Sequence, residues 1–199
     1  MKNLLIKWLR LYRAYRWSYT DDSGVWSESH PCSERLYDAG SIYLNGQLYV
    51  FGGFNSLQKV NGHLLVFDCE SEVWTQSIAL PQGFPHSHHA ICTDGKRYIY
   101  FAGGQVGEQC NPGVASAFVF DVVTFGWSRL PDLPEVRYAG SMQFIHDRLY
   151  FVGGAKADRH TPTDTHWSIQ VKGDLALAAL WEALPPCPMP AMHRGSMVV

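Results

Sequence analysis

Nearly the same word recurs three times in the chain: LYVFGG at 48–53, YIYFAGG at 98–104 and LYFVGG at 149–154. The leading glycines of the pairs, Gly52, Gly103 and Gly153, lie 51 and 50 residues apart. A tryptophan follows each word, at Trp74, Trp127 and Trp181, with spacings of 53 and 54. Each word is preceded by a short, mostly apolar stretch, AGSIYL, HAICT or AGSMQF, and in the first two copies LLVFD or AFVFD stands between word and tryptophan. A self-similar period near fifty describes a repeat protein, in which each unit is one small structure stacked on the next.

Each unit divides into four short strands, A to D. In the first copy they cover about Gly40–Leu44, Gln47–Phe51, Leu64–Phe67 and Val73–Ser77. The A–B connections are Asn45-Gly46, Asp94-Gly95 and His146-Asp147. The first two are strong hairpin signals, since a type I′ turn needs positive φ at both central residues; the third is weaker. The B strands are almost continuously apolar, the pattern of a strand covered on both faces. Paired glycines then mark a close backbone approach or a left-handed residue. Tyrosine and tryptophan supply flat area between neighbouring sheets. Four-stranded sheets packed radially in this way make an all-β propeller.

The sequence of landmarks, Tyr, Gly-Gly, Phe-Asp, Trp and a following Pro, resembles the kelch repeat over about Trp26–Val199. The third copy departs from it, reading HWSIQVKGDLALAALWEALP, and the Ala/Leu-rich run is expected to extend the C–D connection as a helical turn. HWSIQVKG and DGKRYIYFAGGQVGEQC resemble a group of plant kelch proteins, some of which carry an N-terminal membrane anchor. That likeness leaves a membrane or Golgi-type location open. The expected layout is a leader at 1–25 and an incomplete propeller at 26–199. Within the propeller, 26–32 is strand D of a preceding blade; 33–80, 81–131 and 132–185 are full blades; 186–199 starts another. Propellers close with four to eight blades, so three blades and two stray strands do not close. The expectation is a fragment or truncated form of a longer, six-bladed protein, or copies that associate to complete a ring.

Charge is uneven. Lys2, Lys7, Arg10, Arg13 and Arg16 precede the first acid, Asp21, leaving 11 basic and 18 acidic residues for the remainder. The body therefore gives no electrostatic reason to bind nucleic acid. In the leader, Leu4, Leu5, Trp8, Leu11, Tyr12 and Tyr15 fall on one side of a helix. Lys7 interrupts the apolar run too early for a secretory signal, and the run is too short to span a membrane. A surface-seeking helix that gives peripheral membrane association, an organelle-targeting stretch and an unstructured extension all stay open. Cys32, Cys69, Cys92, Cys110 and Cys187 are scattered without a C-x-x-C pair, so neither a disulfide framework nor a zinc site is expected.

Topology puts the B–C and D–A connections on one face. The B–C loops, Phe54–His63, Gln105–Ser116 and Ala155–His166, are long enough to carry binding. The D–A loops hold Arg35, His86, His88, Arg137, His193 and Arg194. These read either as a ring of donors suited to carboxylates or as a device that each repeat uses structurally. Adjacent His88 and His89 point to opposite sides of a strand and do not easily share an ion; His86 and His88 could, but no nearby Cys, Asp or Glu completes a set, so no metal or cofactor is assigned. No nucleophile–base pair has motif context. The resemblance implies a non-catalytic platform for a protein partner; the alternative it also implies is an enzyme of the galactose oxidase/kelch-like superfamily with an axial site.

Overall fold

The computed structural model describes residues 16–20, 24–29, 32, 36–55, 60–107 and 111–191. Most of the expected leader lies outside them, as do Arg35, His193 and Arg194. Every regular element among the described residues is a β-strand.

Strand β1 (Arg16–Thr20) pairs antiparallel with β2 (Val25–Ser29). The next sheet runs β3 (Gly40–Leu44), β4 (Gln47–Phe51), β5 (His63–Asp68) and β6 (Val73–Ala79), in that spatial order. A second repeats it with β7 (Ala90–Thr93), β8 (Tyr98–Ala102), β9 (Ala117–Asp121) and β10 (Gly126–Leu130). The third contains β11 (Ser141–Ile145), β12 (Arg148–Val152) and β13 (His166–Lys172), with β14 (Leu175–Ala176) and β15 (Glu182–Ala183) both paired to β13. Strands β3, β7 and β11 adjoin one another across the sheets, so the sheets fan from a common side as an open, incomplete propeller.

Strand β1 lies within the segment assigned to the leader, and β2 begins at Val25, not at Trp26. The run RWSYT has a strand's aromatic content and is followed by a turn-forming DDSG. The basic helical pattern upstream of it masks that signal.

The continuous apolar character of the B and C strands has a direct cause in the second sheet. Ile99 and Phe101, with Phe118 and Phe120, face the first sheet, where they meet Tyr49, Phe51, Leu64 and Val66. Tyr100 and Ala102, with Ala117 and Val119, face the third and meet Leu149, Phe151, Trp167 and Ile169. All five residues of β9 are buried. Ring packing is dense: Phe51 and Phe101 meet edge to face at 4.5 Å, and Phe120 lies 4.7 Å from Trp127. Burying each such ring contributes about 2–3 kcal/mol.

The far side of the third sheet differs. By strand alternation it carries Gln143, Arg148, Ser168, Gln170 and Glu182 together with Ile145, Tyr150, Val152 and His166. Arg148 Nη1 donates there to Ser168 Oγ at 2.7 Å and to Glu182 Oε2 at 2.9 Å.

The turns follow the expected ranking only in part. Asn45-Gly46 has positive φ at both positions, +52° and +80°, as its sequence demands. His146-Asp147 has it too, at +47° and +60°, so the weaker signal also makes a left-handed two-residue turn. Asp94-Gly95 instead opens a four-residue connection to Tyr98. There Asp94 Oδ1 accepts the amide N–H groups of Lys96, Arg97 and Tyr98 at 2.8–2.9 Å. The aspartate works as a side-chain acceptor that organises a longer loop.

The third C–D connection forms no helical turn. Strand β13 reverses at Gly173-Asp174, with Gly173 at φ +63°, and returns as β14. Residues 177–180 then bulge out before β15 resumes the pairing with Trp167 and Ser168. The extra Ala/Leu residues interrupt strand D without lengthening the turn.

Candidate functional site

Entry into each innermost strand passes through one left-handed residue: Asp38 at φ +53°, His88 at +54° and Ala139 at +50°. None is glycine, so each stores backbone strain of about 1–2 kcal/mol. The segments bearing them, Asp38–Gly40, His88–His89 and Ala139–Ser141, together line a cavity of about 310 Å³ at the axis.

The second blade furnishes the imidazoles. His88 Nδ1 lies 3.1 Å from Ser87 Oγ, which accepts a 2.6 Å hydrogen bond from Gln105 Nε2. Gln105 is fully buried, and its Oε1 has no hydrogen-bond partner. The chain from Gln105 to His88 thus ties the second B–C loop to the cavity wall. His89 turns its ring into the fold, 5.8 Å from Phe84 and 5.5 Å from Phe101. It packs so closely on Gly40 that any Cβ there would overlap its Nε2. Neither ring nitrogen of His89 makes a well-formed hydrogen bond, although the Pro85 carbonyl lies nearby. Burial lowers its pKa from 6.5 to about 4.

His86 and Arg137 occupy corresponding places in successive blades, and neither reaches the cavity. Both are 3% exposed. Their carbonyls accept the amide N–H of Gly53 and Gly104 from the preceding blade, at 2.5 and 2.7 Å; Ala191 does the same for Gly154 at 2.8 Å. The first glycine of each pair is equally confined: a Cβ on Gly103 or Gly153 would stand 2.6 Å from the same Arg137 or Ala191 oxygen. The glycine doublets are therefore the seams between blades. The Arg137 guanidinium lies 4.7 Å over the Trp167 ring and donates to Thr165 Oγ1 at 3.0 Å. The His86 ring packs at 4.8 Å on Phe54, and burial pushes its pKa down to about 4. Trp127 and Trp181 sit between sheets as well, and Trp181 Nε1 donates to the Pro131 carbonyl at 2.9 Å.

The long B–C loops are anchored at their base. Phe54 bridges both Tyr37 and Val60, Gln105 bridges Ser87 and Gly113, and Ala155 bridges Tyr138 and Pro162. In the third loop the tip, residues 156–161, is exposed throughout. Among the described residues, no three His, Cys, Asp or Glu side chains are grouped so as to share an ion, and no helix is long and apolar enough to cross a membrane. Asp38 and Ala139 were not singled out in the sequence. Aligning YDAG, HHA and AGS at the starts of the innermost strands marks their position.

A family model described as the KLHDC2/KLHL20/DRC7 kelch-repeats domain matches residues 16–174. A kelch repeat-containing protein of Arabidopsis thaliana is 37% identical over 173 residues, which is 87% of this chain and 40% of that protein. The kelch-like protein terF of Aspergillus terreus is 28% identical over 145 residues, 68% of this chain and 31% of its own length. The chain thus spans well under half of these relatives. Among solved structures, YjhT superposes with a TM-score of 0.69 at 17% identity, covering 89% of this chain and 60% of YjhT, a likeness of fold.

Proposed function

Since the chain belongs to the kelch-repeat family, we propose that it is a non-catalytic docking platform for a protein partner. The docking surface is the B–C and D–A face around the axial cavity. One observation carries this reading: three successive blades hold strained, non-glycine residues at the same position, and all three positions converge on one cavity. Strain of this kind persists where the surroundings over-determine it, and it clusters at ligand-contacting sites. His88 is the candidate donor at the rim, and Asp38 lines the same cavity. Arg35, His193 and Arg194 are assigned to the same face from sequence alone. His86 and Arg137 serve the blade seams.

A photo-crosslinking residue at Ala157, on the third B–C tip, and another at Glu70, on the opposite face, test the assignment. The expected result is a discrete protein adduct from the Ala157 position and none from Glu70, with His88→Ala weakening binding by about 1 kcal/mol or more. Equal adducts from both positions would refute the choice of face.

An axial catalytic site is the second reading. It is favoured by the presence of Asp38, His88 and His89 among the residues that line one cavity. The His89 ring, held at about 4 by burial, is a weak base there.

A further inference from the structure

Thr161-Pro162 is the single Ser/Thr-Pro step in the sequence, and it lies at the tip of the third B–C loop. Residues 156–162 are all exposed. One carboxylate shapes this tip. Asp158 Oδ1 accepts the amide N–H groups of His160 and Thr161, each at 2.9 Å, and Oδ2 accepts the Thr161 hydroxyl. The Lys156 amide closes the turn on the Thr161 carbonyl at 3.0 Å. These bonds, the Thr161 hydroxyl first, pull the Asp158 carboxyl down to about 2, so it is ionised at any physiological pH. The Thr161 hydroxyl is thus open to solvent and also part of what folds the loop. A proline directly after a hydroxyl residue is the feature that proline-directed protein kinases read.

We propose that Thr161 is the phosphoacceptor of a proline-directed protein kinase and that phosphorylation opens this loop. A nucleoside triphosphate supplies the group. Thr161 Oγ1 bonds to the γ-phosphorus as the bond from that phosphorus to the β–γ bridging oxygen breaks. The hydroxyl proton passes to the kinase's catalytic carboxylate, and the nucleoside diphosphate leaves. The product places nearly two negative charges where a donor faced Asp158. It cannot donate as the hydroxyl did, and it repels the carboxylate. The tip swings away from Asp158. Any effect on partner binding rests on the docking reading above; the assignment of the acceptor does not.

The full chain, treated with a purified proline-directed kinase and ATP, is mapped by mass spectrometry, and amide exchange at His160 and Thr161 is followed by NMR. One phosphate on Thr161 is expected, absent in Thr161→Ala and added at least ~10-fold more slowly to Pro162→Ala. Exchange at the two amides should rise about tenfold on phosphorylation, the scale of a lost charge-assisted hydrogen bond. Asp158→Ala should reproduce that rise without kinase. Phosphate at another residue, no phosphate, or equal labelling of Pro162→Ala overturns the acceptor assignment. Unchanged exchange after complete phosphorylation overturns the opening.

Discussion

Gly46 and Gly104 both hold positive φ, +80° and +97°, yet they answer to different constraints. Around Gly46 there is open space, so Gly46→Ala costs only the backbone penalty, about 1 kcal/mol. A Cβ on Gly104 would stand 2.6 Å from the Ser87 carbonyl oxygen and 2.8 Å from the His89 amide nitrogen, so the backbone leading into β7 would have to move. Gly104→Ala should therefore cost ~3 kcal/mol or more, read as the shift in urea midpoint between the two variants. The buried imidazoles set a pH dependence. His86 and His89 titrate at about 4 in the folded chain and near 6.5 when unfolded. Between those values the unfolded chain binds more protons, so stability rises with pH and is lost as pH falls from 6.5 towards 4. Each ring contributes on the order of 1 kcal/mol per pH unit within that window. Urea midpoints measured at pH 7 and pH 5 check the sign; a flat response means the rings find partners on protonation.

Among elements, strand D of the third blade separates packing from insertion within a few residues. Trp181 is 6% exposed and bonds to Pro131, whereas Leu180, beside it, is 79% exposed at the bulge. Trp181→Ala should cost about 3–5 kcal/mol, and Leu180→Ser should stay within about 0.5 kcal/mol in the same denaturation assay. Much of this level is legible from sequence. In the first blade, A and B match their expected residues throughout, while C and D extend beyond by one or two. Alternation and turn chemistry are local signals, and for those strands they agree. Other features hide because the deciding contact is remote or because one residue type serves two geometries. Asp94 signals an Asp-Gly hairpin, but its carboxylate captures three amides and lengthens the loop. Arg137 and His86 look like surface donors because charge implies exposure; the Trp167 and Phe54 rings that cover them are distant in sequence or in another loop. Asp38 carries no motif of its own; the repeat alignment marks its position, and the convergence of three blades on one cavity gives that position a role.

At the scale of the whole molecule, the described sheets form an arc whose two faces differ in chemistry. Between sheets the arc is filled by rings, whereas the far side of the third sheet mixes Ile145, Tyr150 and Val152 with Gln143, Gln170 and the Arg148 pair with Glu182. Positions that correspond to Cys92 and Val119 in the second blade are Gln143 and Ser168 in the third. Completion of a ring by a second copy of the chain would have to dehydrate those groups, which weighs against closure through this side. Light scattering should therefore give the single-chain mass of 22.4 kDa, with Gln143→Leu combined with Gln170→Val raising the apparent mass. A concentration-dependent mass for the unaltered chain would contradict the argument.

The Arg148–Glu182 pair makes that side of the third sheet behave like the wet end wall of a stack. Whatever stands next to it, whether water or another sheet, must bring hydrogen-bonding groups of its own. A wholly greasy neighbour would leave those groups without partners, so polarity joins shape in deciding what can stand at that boundary.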